Sequence, residues 1–145
     1  MFRSIAVPAA LSIAVLMMGT SLHAGETPAP EGAAVYIISP ADGATVSSPV
    51  TVRFGLSGMG VAPAGIEKDK TGHHHLLLDT EMLSGEDLDY SIPADENHIH
   101  FGGGQTETQV ELTPGTHTLQ LLLGDQNHVP HNPPIASEVV TITVE

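Results

Sequence analysis

The chain has 145 residues, with 17 acidic against 4 basic side chains, a formal net charge of -13 with histidine neutral, nine histidines and no cysteine. That charge repels phosphate backbones and anionic headgroups, which excludes nucleic acid and leaves cations as the natural partners. The missing cysteine removes disulfides, thiolate metal sites and thiol nucleophiles, and this length supports a single modest core.

At the amino terminus Arg3 precedes an almost unbroken apolar run over 5–18, and Leu22-His23-Ala24 puts a small residue before Gly25. This is the pattern of a cleaved secretory signal peptide over 1–24. The run is shorter than the roughly 20 residues a spanning helix needs, so no membrane insertion is expected after cleavage and the product is periplasmic or secreted. Arg3 leaves with the leader and no acidic residue does, so the remainder is more acidic still. Residues 25–33, rich in Pro, Ala and Glu, have no periodicity and read as a flexible linker before a single domain over 34–145.

From 34 onward the pattern is short strands divided by turn residues, with no helical period. A first strand is expected over 35–39, followed by the turn Pro40-Ala41-Asp42-Gly43. Over 50–56, Val50, Val52, Phe54 and Leu56 alternate with Thr51 and Arg53, the mark of a half-buried strand. A third strand covers 73–79, its triple leucine marking it as central, and a fourth covers 98–101 ahead of Gly102-Gly103-Gly104. The remaining strands are read at 105–112, 116–124 and 137–144, with a proline-rich loop over 125–134 before the last. About seven short antiparallel strands suggest an all-β, immunoglobulin-like sandwich.

That topology sorts the histidines. In such a sandwich the connections between the second and third, fourth and fifth, and sixth and seventh strands lie at one end. His73, His74 and His75 open the third strand, His98 and His100 close the fourth, and His128 and His131 sit in the last of these loops. His23 leaves with the signal peptide, and His117 starts a strand at the opposite end, where a core or edge histidine bonded to backbone is expected. Strand side chains repeat every two residues, so His73 shares a face with His75 and His98 with His100, and an i, i+2 pair of imidazoles can chelate one ion. A solvated or hydrogen-bonded histidine is the plainer reading of any one pair; the argument for a metal is the convergence of all three groups.

Imidazole without thiolate suits zinc, copper(II) or nickel and makes a poor cage for calcium or magnesium. Copper comes first because the affinity order of divalent ions places it above zinc at any nitrogen site. Met59 offers a thioether or simple packing, and Asp79, Asp95, Glu96 or Asp125 could orient an imidazole. The metal candidates are therefore His73, His74, His75, His98, His100, His128 and His131.

Thr71-Gly72-His73-His74-His75-Leu76-Leu77-Leu78-Asp79, His100-Phe101-Gly102-Gly103-Gly104-Gln105-Thr106-Glu107, Gly115-Thr116-His117-Thr118-Leu119-Gln120-Leu121 and His128-Val129-Pro130-His131 together resemble the bacterial family called domain of unknown function 4399. The resemblance covers about 55–144 and implies an exported bacterial domain, with no activity attached. The segment Ser39-Pro40-Ala41-Asp42-Gly43-Ala44-Thr45-Val46 is also similar to the opening strand of periplasmic copper-resistance sandwiches, which often use an amino-terminal histidine; here the expected cut removes His23.

Two other classes compete with a copper- or zinc-binding module. A cell-envelope interaction module would use its histidines as groups that titrate near neutral pH. A metal-dependent enzyme would keep an open position on a histidine-bound ion, yet no nucleophile motif is present and Gly85-Glu86-Asp87-Leu88-Asp89 reads as a solvated acidic loop.

Overall fold

The computed structural model describes Gly25 and residues 27–145; the expected signal peptide lies outside the described residues. These form the strands β1 (Ala34–Ser39), β2 (Thr45–Val46), β3 (Val50–Ser57), β4 (Gly60–Val61), β5 (Thr71–Leu78), β6 (His98–His100), β7 (Glu107–Val110), β8 (Gly115–Gly124) and β9 (Val140–Val144), with one 3-10 helix at Gly85–Asp89. Among the described residues there is no α-helix, and no helix is long and apolar enough to cross a membrane.

One sheet runs β1-β3-β7 and is antiparallel throughout. The larger sheet runs β2-β9-β8-β5-β4, with β6 also paired to β5. Alternation along β3 turns Val50, Val52 and Phe54 inward, where they meet Val35 of β1, Val110 of β7, Leu76 of β5, Leu119, Leu121 and Leu123 of β8, and Ile142 and Val144 of β9 in one core. Arg53 points outward to Glu107 at 2.7 Å, an exposed ion pair of little weight for stability.

The leucine runs of β5 and β8 have a second use. Leu77 and Leu122, one residue out of phase with the core leucines, pack with Ile92, Met82, Leu83 and Ala136 on the outer face of the larger sheet. A strand covered on both faces has no polar phase, which is why these runs do not alternate. The cover comes from the excursion after β5 and the return leading to β9.

Differences from the expected elements are local and have causes. The strand expected over 137–144 begins only at Val140, because Ser137 is spent on β8: its N–H donates to Leu121 O at 2.9 Å and its Oγ accepts the Leu121 N–H. The strand expected from 105 starts at Glu107, since Gln105 folds back and its Oε1 accepts the Gly103 N–H. The stretch expected as a flexible linker makes specific bonds: Ala29 N–H donates to Asn132 O, Asn132 N–H to Thr27 O, and Ala29 and Ala33 pack on the core. The fourth strand, β6, pairs with β5 in the larger sheet, whereas the constant-type immunoglobulin order would seat it in the sheet of β1 and β3. That pairing sets His100 directly opposite His75, while β8 sets Gly124 opposite His73.

Candidate metal centre

The start of β5, the end of β6 and the loop after β8 meet at one end of the larger sheet. His73 and His75 project from β5 on its outer face, each only 1% exposed, with ring centroids 4.8 Å apart. The ring of His100 lies 5.0 Å from both, and that of His128 lies 5.1 Å from His73 and 4.7 Å from His100. Donor nitrogens of these four residues all fall within 4.8 Å of one another. His73 Nε2 is 3.2 Å from His128 Nδ1 and 3.2 Å from His100 Nε2.

Local sequence makes room for the rings. A Cβ on Gly124 would stand 2.7 Å from His75 Cε1, and one on Gly102 would run into the His100 imidazole. Glycine at both positions is what lets the two rings close on the centre. His128 is set by a turn: at φ 67 its N–H donates to Asp125 O, while Asp125 Oδ1 accepts the Asn127 and Val129 N–H groups at 2.8 and 3.0 Å. Asp125 Oδ2 takes the Thr27 hydroxyl at 2.6 Å, which ties the amino-terminal stretch to the same turn.

Burial favours the neutral form of His73 and His75. The His73 pKa is pushed down to about 4, first by burial and then by the facing His100 and His128, with the Asp125 carboxylate working the other way. Burial, then His73, His100 and His128, push His75 down to about 3, and burial and His128 lower His100. A neutral imidazole carries one N–H and one lone pair on different nitrogens. His73 Nε2 therefore satisfies one linear N–H···N contact and leaves its second neighbour at 3.2 Å unmatched, whichever tautomer is chosen. Nδ1 of both His73 and His75 is buried without a hydrogen-bond partner. Two nitrogens about 2.0–2.1 Å from one tetrahedral ion stand about 3.3 Å apart, so a single cation can engage the lone pairs that the protein leaves facing one another.

The other three candidates lie elsewhere. His74 points to the opposite face of β5 and is fully buried against Phe54, ring centroids 5.1 Å apart; burial lowers its pKa to about 4. His98 shares the face of His100 but stands across from Leu77, two residues from the cluster, and its Nδ1–H donates to Asp95 at 2.9 Å. That hydrogen bond, with the Asn97 N–H, lowers the Asp95 pKa. His131 is buried after the turn, where its Nε2–H donates to Thr71 O at 3.3 Å and ties the loop to β5. Met59 packs on the core. Of the acidic candidates only Asp125 adjoins the four-histidine cluster: Asp79 bonds His117, Asp95 bonds His98, and Glu96 is exposed. The sequence reading missed Thr27 and Gly124, although a Gly-Asp-Gln-Asn stretch straight after a strand already signals a side-chain-capped turn.

These features define an all-β domain whose larger sheet carries, at one end, a four-imidazole cluster spaced to hold one metal ion. The chain belongs to the family described as Domain of unknown function (DUF4399), which its residues 52–145 match, a span that includes all four clustered histidines. Comparison with curated proteins and with solved structures gives no match.

Proposed function

We propose that this is an exported metal-binding module of immunoglobulin-like sandwich architecture, acting in the periplasm or outside the cell after loss of a signal peptide over 1–24. It holds one transition-metal ion through His73, His75, His100 and His128, for metal buffering, delivery or resistance. The observation that carries the reading is the convergence of four donor nitrogens within 4.8 Å, in a geometry their own hydrogen bonds cannot satisfy. Copper stands ahead of zinc on affinity order, while the 3.2 Å contacts, close to a tetrahedral edge, are the argument for zinc. Sensing of pH near neutrality is disfavoured for His73 and His75, whose pKa values burial lowers to about 4 and about 3. The test is metal analysis of the untagged protein isolated from periplasm. One copper or zinc per chain is expected; a metal-free protein that also takes up neither ion in a saturable way would sink the proposal.

A further inference from the structure

The four histidines are not equivalent. His73 and His75 stand on β5, a strand of the larger sheet paired on both sides, each 1% exposed, under the loop after β8. His128 is pinned at both sides of its backbone, its N–H donating to Asp125 O and its carbonyl accepting the Ile92 N–H at 2.8 Å. Asp125, itself 3% exposed, spends both carboxylate oxygens on that turn and on Thr27. His100 differs in exposure and in its place at a strand end. It is exposed, it ends a strand of three residues, and the Gly102-Gly103-Gly104 turn follows. Its ring has one polar contact, His73 Nε2 at 3.2 Å, and rests against Gly102 in place of a side chain. An exposed imidazole changes rotamer on the picosecond to nanosecond scale, whereas the His73 and His75 rings are enclosed and the half-buried His128 ring, with the same single contact to His73 Nε2, is carried on a turn held at both its N–H and its carbonyl.

We propose that His100 is the exchangeable ligand of the centre. The ion enters and leaves on its side, and His73, His75 and His128 form a fixed half that keeps hold of it. The step is a ligand substitution without change of oxidation state. His100 withdraws its nitrogen lone pair from the ion, one coordination position opens, and an incoming imidazole or small anion donates a lone pair in its place. A partner receiving the ion would therefore present a histidine to the edge formed by β6 and the glycine turn. This rests on the metal-binding reading above.

Cobalt(II) is the probe, because it occupies imidazole sites and its visible spectrum reports coordination. Native protein should give tetrahedral bands that azide shifts only at concentrations high enough to compete with His100. His100→Ala should still bind cobalt, show bands that azide shifts and added imidazole restores, and release the ion to EDTA at least about tenfold faster, the scale on which loosening a ligand acts. Gly102→Ala keeps every histidine but displaces the His100 ring, so it should move in the same direction. His75→Ala and His128→Ala, checked for native circular dichroism, should lose cobalt outright. The assignment is overturned if His100→Ala loses cobalt as completely as His75→Ala, or if its bands ignore azide and its release rate equals that of native protein. Native protein that binds no cobalt, copper or zinc would overturn the metal-binding reading itself, a different outcome from either of these.

Discussion

β5 and β8 run side by side along the larger sheet, and histidines stand at both ends of the pair. At the end where β8 begins, His117 has a partner for each ring nitrogen: Nδ1 lies 2.7 Å from Asp79 Oδ2, and Nε2 lies 2.8 Å from Thr113 O. Asp79 also accepts the Thr118 N–H, and its hydrogen bond to His117 raises the histidine pKa. At the other end His73, His75 and His100 face one another and His128, and the pKa of each of the first three is lowered. The same side chain is thus built in two ways. Given a carboxylate and a carbonyl, an imidazole is a stabilised cation that clasps two strands; given other imidazoles and a dry surround, it is an uncharged lone-pair donor. Only the second arrangement leaves room for a charge supplied from outside.

Breaking either end should have distinct consequences. The largest effect is expected from His73→Ala or His75→Ala, which should abolish saturable copper and zinc uptake in calorimetric titration. Asp125→Asn should come next: the turn that aims His128 loses its charged acceptor, and affinity should fall by about 10–100-fold, the usual cost of disturbing a group that supports a metal ligand. Thr27→Val, which removes only the hydroxyl bonded to Asp125, should weaken binding in the same direction by less.

pH separates the two ends by sign. His73 and His74 are lowered from 6.5 to about 4 and His75 to about 3, so between 6.5 and these values the unfolded chain binds more protons than the folded one. Stability of the metal-free protein should therefore fall as pH drops through that window, and thermal melts at steps of pH would show it. His117 runs the other way: its contribution is complete below its ordinary pKa of 6.5 and is lost as pH rises through its raised value. The smallest effect is His117→Gln, expected to cost about 1 kcal/mol of stability, the net worth of an ordinary hydrogen bond, and to leave metal affinity unchanged. Loss of affinity in that variant would erase the contrast between the ends.

Much of this contrast was legible before the fold was known. Alternation over 50–56 and the turn residues between short strands announced an all-β chain, and chain direction brought His73, His75, His100 and His128 toward one end while leaving His117 at the other. Residues competing for a side chain were harder to see. Asp95 lies three residues before His98 and captures its Nδ1, so sharing a face with His100 was not enough. His74 follows the strand period into the core beside Phe54, and His131 is diverted by the Thr71 carbonyl. Long-range pairing was out of reach of any local pattern: nothing in His98-Ile99-His100 says that it joins β5, and nothing in 27–33 says that it bonds the loop after β8.

The most direct measurement is a titration of the untagged, metal-free protein with zinc(II), read from the ring nitrogens of each histidine in long-range proton–nitrogen spectra. The expected result is a response that saturates at one equivalent, shifts His73, His75, His100 and His128, and leaves His98 and His117 in place. A response that includes His117, or one that never saturates, would contradict the assignment of the centre to that end of the sheet.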